Sequence, residues 1–456
     1  MSSFRQSCDI IPLNLHKKDM ASLNIPESNL PRVVIVGGGF GGINLLKKLV
    51  KTRKFQVILI DKRNYHTFQP LLYQVSTYGL DTGEIAYPLR KTVKKDTQEA
   101  YFRLAEVEST DTKQQIIYTN IGEINYDYLV LATGSKTNFF GNAEIEKYAL
   151  RMKTAPQALN IRTLILENLE EATITKDKKK RAALLNFVIA GAGPTGVELS
   201  GAISEIRKNV VPRDYIDISP SEIHIHLLEG QDEVLPPMSA KASRSAKKSL
   251  EKLGVELHLG TMVKSYNGHT VKTGDGQVFE TETFIWTAGV NGAPIEGIEA
   301  PALVERPKRY QVNVFNQVEG YDNVFAIGDI ALMQSKAYPK GHPMMAQPAI
   351  QQGKHLAKNL VNMVEKNKLE PFKYFDKGSM ATIGRNKAVV DLKNFHFSGI
   401  FAWFVWMFIH LYFLIGFRNR VLTLFTWMYR YINFDRGSRL IIRPFKQNRS
   451  KLEDAD

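Results

Sequence analysis

Cysteine is almost absent from this chain of 456 residues: Cys8 is the only one. One thiol cannot close an internal disulfide, complete a cysteine-based zinc site, hold an iron–sulfur cluster or run a dithiol relay. The first thirty residues lack an apolar run of signal-peptide length, and Asp9, Asp19 and Glu27 interrupt the basic residues a targeting peptide would need. Met1 to Leu30 therefore reads as a flexible arm. Charge is missing between Asn394 and Phe417, which hold no Asp, Glu, Lys or Arg but ten aromatic residues. The several apolar spans of a proton-pumping channel are also missing. The basic run Lys176 to Arg181 is short and lacks aromatics, so it reads as a solvated loop and not as a nucleic-acid surface.

What is present is a pair of glycine-rich turns, each following an apolar strand. The first is Val33 to Val36 followed by Gly37-Gly38-Gly39-Phe40-Gly41-Gly42; the second is Phe187 to Ala190 followed by Gly191-Ala192-Gly193-Pro194-Thr195-Gly196. In such a turn the first glycine permits the bend, the second lets backbone approach a pyrophosphate, and the third lets the helix pack on its strand. The pyrophosphate lies against the helix N-terminus, where free N–H groups and the dipole favour negative charge. An acid about 20 residues on accepts the ribose hydroxyls. Asp61, 19 residues past Gly42, fits; Glu229 is 33 residues past Gly196, which implies an insertion around Pro212 to Ser221. Two such units imply two dinucleotides held together, with a hydride or electrons passing between them. Glu229 repels a ribose 2′-phosphate, and Gln231 and Asp232 supply no arginine to rescue it, so NADH is expected over NADPH.

Apolar strands alternate with helical stretches from Pro31 onward, the pattern of doubly wound parallel sheets. Helices are expected over Ala158 to Ala172 and Ser239 to Leu253, the latter ending at Gly254. Tyr126 to Gly134 and Thr283 to Gly289 are near-duplicate strand endings, the first close to the first dinucleotide, and together they point to an ancestral repeat. If the strand Asn323 to Asp329 returns to the first domain, the second domain is an insertion within it. The net charge is +14, and between Phe417 and Lys451 nine basic residues face one acid, Asp435. An apolar segment beside a cationic one reads as attachment to an anionic bilayer surface. The uncharged segment is long enough to cross about 30 Å of hydrocarbon. However, Trp403, Trp406 and His410 fall in its middle, and with Met407, Phe413, Leu414 and Phe417 they share one helical face. Val421 to Phe434 is amphipathic. Interfacial helices are expected rather than a span. An exposed apolar face there would serve a symmetric homodimer as readily as lipid.

These residues together resemble the type II NADH dehydrogenases, single-subunit, non-pumping NADH:quinone oxidoreductases of the two-dinucleotide flavoprotein superfamily. The likeness runs from about Pro31 to Arg420. It is carried most specifically by Asp61-Lys62-Arg63-Asn64-Tyr65-His66-Thr67-Phe68-Gln69-Pro70-Leu71-Leu72-Tyr73-Gln74-Val75 and by Gly193-Pro194-Thr195-Gly196-Val197-Glu198. Trp286 to Val290, Ala346 to Gly353, Gly378 to Gly384 and Gly399 to Arg420 also match. The resemblance implies an α/β fold of two Rossmann-like domains, the second inserted in the first, plus a C-terminal amphipathic helical membrane-anchoring region. The implied boundaries are 31–150 and 289–385 for the FAD-binding domain, 151–288 for the NADH-binding domain and 386–456 for the membrane-associating region with its basic tail, after the arm 1–30.

It further implies non-covalent FAD on the first motif, with Asp61 at the adenosine ribose and Asp329 at the flavin side, and NADH on the second, with Glu229 at its ribose. Phe40, Lys62, Thr133, Gly134, Ala288, Gly289 and Ala346 complete the implied cofactor contacts. Glu198 is implied near flavin and nicotinamide, as a proton-handling or positioning group whose burial would raise its pKa. Gln347 and Gln351 are implied where the isoalloxazine meets a quinone; they can orient carbonyls but not titrate. His66 and His410 read as packing residues, and no metal ligands are assigned. The implied reaction is NADH oxidation with quinone reduction in a respiratory chain, on the NADH-containing cytoplasmic or matrix face of a membrane. The alternative is a membrane-attached diaphorase or redox sensor that does not use quinone. Sulfide:quinone oxidoreductases and disulfide reductases need the paired cysteines this chain lacks, and a soluble ferredoxin reductase leaves the aromatic C-terminal segment unexplained.

Overall fold

The computed structural model describes residues 22–93, 99–299, 302–392, 395–433 and 439–441. Cys8 and most of the arm, and Arg436, Arg443, Lys446, Arg449 and Lys451 of the basic tail, lie outside them. The chain divides into two compact units. One comprises residues up to Asn64, Leu89–Gly134 and Gly292–Phe372; the other comprises Tyr65–Pro88, Ser135–Asn291 and the chain from Lys373 onward.

The first unit is built on a five-stranded, all-parallel sheet. Its spatial order is Val324–Ala326, Tyr128–Leu131, Arg32–Val36, Gln56–Asp61, Ala100–Leu104. Val33 to Ile35 and Val57 to Ile60 are fully buried, as strands covered on both faces must be. The strand Val324–Ala326 does return to this sheet, beside Tyr128–Leu131, so the second dinucleotide unit is inserted in the first. The helices Phe40–Leu49 and Ala346–Val364 cross closely, because a Cβ at Gly353 would stand 2.5 Å from the Gly41 carbonyl oxygen.

The second unit repeats the plan. Its parallel sheet runs Leu150–Arg151, Thr283–Trp286, Asn186–Ala190, His224–Leu228, Glu256–His258. In each unit a three-stranded antiparallel meander precedes the strand that returns beside the central one: Val107–Asp111, Ile116–Thr119 and Gly122–Asn125 in the first, Val263–Tyr266, Thr270–Thr273 and Val278–Glu280 in the second. The second unit also carries an antiparallel sheet, Ser379–Thr382, Ala388–Leu392 and Phe395–Gly399, that leads into two C-terminal helices, Ile400–Phe413 and Phe417–Asn433.

Several expectations are corrected. Residues 22–30 are not a free arm: Leu23 is buried, its N–H donates to the Glu123 carbonyl at 3.1 Å, and Gln56 donates to the Pro26 carbonyl at 2.8 Å. Lys176 to Arg181 is not all loop, because Lys178–Leu184 is helical. Asp177 caps that helix by accepting from the Lys179 and Lys180 amides, and Leu184 anchors it in the core. The helix expected over Ala158 to Ala172 extends over Ala155–Ile174, started by a capping box of Thr154 and Gln157. The Ser239 cap and the Gly254 stop are as expected, with Gly254 at φ +73°.

The largest correction concerns the aromatic helix. Trp403, Trp406, Met407 and His410 do share a face, but that face turns inward: Trp406 is 1% exposed. Phe401, Phe404, Phe408 and Tyr412 form the outer face instead. Phe417 leaves the shared face because Gly416, at φ +93°, ends one helix and redirects the chain into the next. Basic side chains are also less free than their sequence implies. Arg439 pairs with Asp214, Arg430 donates to the Tyr78 carbonyl and Arg420 to that of Leu414. Among the described residues, no helix is long and apolar enough to cross a membrane.

The anchoring of residues 22–30 has a measurable consequence. Leu23→Ala, which empties a buried site, should lower unfolding stability by about 2–4 kcal/mol in denaturant titrations; an unchanged midpoint would show that this segment does not pack.

Candidate functional site

Both glycine turns sit at the carboxyl end of the central strand of their sheet, and a shared set of bonds holds each. In the first, the Asp61 carboxylate accepts the Gly38 amide at 2.6 Å through one oxygen and the Arg63 amide at 2.7 Å through the other. In the second, Glu229 accepts the Ala192 amide at 2.7 Å and the Gln231 amide at 3.0 Å. The turn is tied to the acid-bearing strand by Gly37 N–H to the Ile60 carbonyl and Gly191 N–H to the Leu228 carbonyl, both 2.8 Å. Each acid thus fastens the glycine loop to the end of its own strand. Each carboxylate oxygen keeps a lone pair for a further donor such as a ribose hydroxyl. Burial raises the Asp61 pKa against the pull of its two amide donors and of Arg63 and Lys62.

Glycine is required where the helix meets the turn. A Cβ at Gly42 would stand 1.9 Å from the Gly37 carbonyl oxygen, and one at Gly196 would stand 1.9 Å from that of Gly191. Gly39 and Gly193, at the helix N-caps, face open space instead: nothing lies within 4 Å of a Cβ built there, and neither helix start is capped by a side chain. Uncapped N–H groups facing open space are what a pyrophosphate needs. Phe40, Pro194 and Thr195 occupy the first turns of those helices.

The closing strands differ in one respect. Gly134 and Gly289 match, at φ +72° and +73°. The residue in register with Thr287, however, is Ala132 and not Thr133, since the Ala132 and Thr287 amides bond to the equivalent carbonyls of Val36 and Ala190. The Thr287 hydroxyl is used internally, on the Ala190 and Gly191 carbonyls. That of Thr133 is buried with no partner, which suits a ligand group in the first cradle.

Asp329 follows the strand Val324–Ala326 in a short 3-10 turn. The preceding Gly328 amide is held at 2.7 Å by Gln352, a buried residue to which the sequence reading assigned no role. Ala346, Gln347 and Gln351 lie in the first turns of the helix Ala346–Val364, with the two glutamines half-buried one turn apart on one face. Lys62 lies beside Glu106 at 3.3 Å on an exposed edge. Ala288 and Gly289 follow the second return strand.

Glu198 stands apart from this list. It lies on the helix Pro194–Asn209 and lines a cavity of about 150 Å³ in the second unit with Tyr73, Thr382, Trp403, Trp406 and Trp427. A void of roughly that volume accepts one benzene-sized ring. Burial pushes the Glu198 carboxyl up to about 8, opposed only by the Thr382 amide at 3.4 Å and by the nearby Trp406 indole, whose N–H closes no hydrogen bond. At neutral pH this acid is protonated. Around it runs a chain of bonds. Trp427 donates to Gln74 at 2.8 Å, Gln74 donates to the Tyr73 hydroxyl at 3.0 Å, and that hydroxyl meets the Thr382 hydroxyl at 2.9 Å. His410 stacks on Trp406 at 4.0 Å and burial pushes its ring down to about 4, so it is a neutral packing group, as expected. His66 is likewise buried. The Trp427–Gln74–Tyr73–Thr382 chain is not legible in the sequence, because Tyr73 and Gln74 lie more than three hundred residues from Thr382 and Trp427.

Residues 31–353 match the pyridine nucleotide-disulphide oxidoreductase family, and residues 377–436 match the NDH2 C-terminal domain. A type II NADH:quinone oxidoreductase of Mycobacterium tuberculosis is 38% identical, over 92% of this chain and 92% of its own length. The chain belongs to the type II NADH:quinone oxidoreductase family. An internal alternative NAD(P)H-ubiquinone oxidoreductase of Arabidopsis thaliana is 30% identical over 89% of this chain and 85% of its own. The structure of NDH2 from Plasmodium falciparum in complex with NADH shares the fold, with a TM-score of 0.82 at 22% identity, covering 91% of this chain and all of that one. Members of the family are FAD-dependent NADH enzymes. The two cradles fit such dinucleotides: both keep open helix starts without a side-chain cap and an acid at the end of the next strand, and the first keeps an unpartnered buried hydroxyl.

Filling the second turn tests this geometry. Gly196→Ala should destabilise the protein by about 1–3 kcal/mol through overpacking, seen as a lower melting temperature. Gly193→Ala, which meets nothing, should leave the melt unchanged; equal effects would contradict the clash.

Proposed function

We infer that this protein oxidises NADH and reduces a membrane quinone in a respiratory chain, without pumping protons. The first cradle, with Gly37, Gly39, Gly42, Asp61, Thr133 and Asp329, holds FAD; the second, with Gly191, Gly193, Gly196 and Glu229, holds NADH. FAD held in the first cradle would supply a two-electron relay between NADH and quinone. What supports quinone as acceptor is the cavity: a one-ring space walled by tryptophans and carrying a single buried acid, protonated at neutral pH. Reducing a quinone to the quinol takes two electrons and two protons, and a hydride brings only one proton. Glu198 is the group suited to hold the other at a quinone oxygen. The Tyr73–Thr382 bond holds the Thr382 amide on Glu198, and Trp406 excludes water from it.

Attachment to a bilayer follows from the outer face of the C-terminal helices. Phe401, Phe404, Phe408 and Tyr412 on one helix, with Phe425, Met428 and Ile432 on the next, are all more than half exposed. Isolated exposed apolar residues are ordinary, but a contiguous aromatic patch with arginines at its border is the form of a monotopic anchor. The NADH-containing cytoplasmic or matrix side is the side such an anchor would occupy. Lipid accounts for this face better than a second copy, because Arg418 and Arg420 beside it are exposed. In a symmetric dimer those charges would face their own copies.

The function is tested by the Glu198→Gln variant in quinone-containing vesicles. Quinone-dependent turnover should fall on the order of a hundredfold, while NADH oxidation by a water-soluble dye and the KM for NADH stay near wild type. Wild-type quinone reduction should decline as pH rises through about 8, where Glu198 loses its proton, and the variant should lack that limb. Stability follows the same sign. With its folded pKa above the unfolded value near 4.5, Glu198 contributes most below that value, and the contribution is lost as pH rises through about 8. Equal loss with dye and quinone would point to a diaphorase instead.

The anchor is tested separately. Phe404→Glu with Phe408→Glu should shift the protein from sedimenting with anionic vesicles to the supernatant, with dye reduction intact. A change from dimer to monomer with vesicle binding retained would assign the face to self-association.

A further inference from the structure

Along the two outer strands of the second sheet lie four side chains that the redox chemistry does not use. They come from two neighbouring parallel strands, His224–Leu228 and Glu256–His258, paired with His226 opposite Glu256 and Leu228 opposite His258. The two-residue period of a strand puts His224 and His226 on one face, and the pairing puts Glu256 and His258 on that same face next door. Glu256 reaches both histidines of the first strand: one oxygen lies 2.8 Å from His224 Nδ1 and the other 3.4 Å from His226 Nδ1. His258 Nε2 approaches the same His226 Nδ1 at 3.1 Å.

Two features distinguish this cluster from an ordinary surface ion pair. First, the rings are held. His226 is buried, it stacks parallel to His224, and Phe279 packs against both His226 and His258 with ring centres 4.9 and 5.0 Å away. Second, the separations suit one small cation. In a tetrahedron of bonds near 2.0–2.1 Å, neighbouring ligand atoms stand roughly 3.3 Å apart, which is close to the separation of His226 Nδ1 from Glu256. His224 Nδ1, His226 Nδ1 and the Glu256 carboxylate already lie within 4.8 Å of one another. His226 is buried, and a neutral imidazole is the form that ligates. Two imidazoles and one carboxylate favour a borderline transition metal over calcium or magnesium, which prefer all-oxygen sets.

We propose that His224, His226 and Glu256 bind one divalent transition-metal ion of the zinc class, as a staple across the outer edge of the second sheet, with His258 packed beside His226. The site is separate from catalysis, since His226 precedes Glu229 by three residues, about 10 Å along the strand. It is nonetheless mechanically joined to the nucleotide cradle. Glu256–His258 is an edge strand of three residues, and the His258 carbonyl accepts the Glu229 amide at 2.9 Å. A cation shared by both strands would hold that edge in register beside the ribose-binding acid. The sequence reading assigned no metal, because each pair is unremarkable alone and only strand pairing joins them.

The test uses the untagged full-length holoenzyme in detergent, stripped with a chelator and dialysed. Titration with Co²⁺ should produce visible d–d absorption saturating at one equivalent, displaced by Zn²⁺. Zn²⁺ should also raise the melting temperature. His224→Gln and Glu256→Gln alter exposed side chains and should fold normally. Each should weaken Zn²⁺ binding at least tenfold by calorimetry and abolish the thermal shift, with dye-linked NADH oxidation unchanged. His269→Gln, which disrupts a two-residue His–Glu pair elsewhere on this unit, should have no effect. Binding that never reaches one equivalent, that survives both variants, or that falls equally in His269→Gln would overturn the proposal and leave the cluster as an internally bonded polar patch.

Discussion

One carboxylate bridging two backbone amides is the constraint on which each dinucleotide unit depends. Asp61 joins Gly38 to Arg63, and Glu229 joins Ala192 to Gln231, at nearly the same distances. The bridge does two things at once. It fixes the glycine turn relative to the end of the second strand, and it leaves the acid with lone pairs for a further donor. Close helix packing completes the arrangement, since neither Gly42 nor Gly196 leaves room for a side chain over the turn. The matching order of both sheets, and the meander inserted before each return strand, place these bridges in duplicated frames.

The duplication is not exact, and the differences carry function. Thr287 spends its hydroxyl on its own turn whereas Thr133 keeps one buried and unpartnered. Only the second unit adds the antiparallel sheet and the aromatic helices that enclose Glu198. There burial outweighs the two nearby donors and keeps the acid neutral. The same helix has two sides: Trp403, Trp406 and Met407 line the cavity on its inner side, and Phe401, Phe404 and Phe408 form the outer aromatic face. A single helix thus carries both an exposed aromatic face and part of the wall of the Glu198 cavity within one compact unit.

Much of this was legible in the sequence, for local reasons. Glycine spacing, the apolar strands and the acids at their ends are set by short-range geometry, so the two glycine turns and the acids that fasten them could be named residue by residue. The seven-residue aromatic face was also visible by period, but period alone does not say which side faces the protein; packing around Trp406 decided it. Phe417 was assigned to that face because Gly416 was not read as a break. The Lys178–Leu184 helix was missed because its lysines outweighed the Asp177 cap. The bonds around Glu198 and the histidine cluster were beyond reach, since Tyr73, Thr382 and Trp427, or His226 and His258, meet only through tertiary pairing. Gln352 was passed over for its neighbour Gln351, although the burial that makes it structural appears only once its helix is packed.

The central claim is that the two cradles hold different dinucleotides and deliver NADH's electrons to a quinone. Anaerobic rapid mixing of the purified, lipid-reconstituted protein tests it most directly. NADH should bleach the flavin absorbance in one fast phase, and a subsequent pulse of quinone should restore it within the turnover time. Protein that retains no flavin after FAD is added back, or whose bleached absorbance quinone fails to restore, would contradict the account.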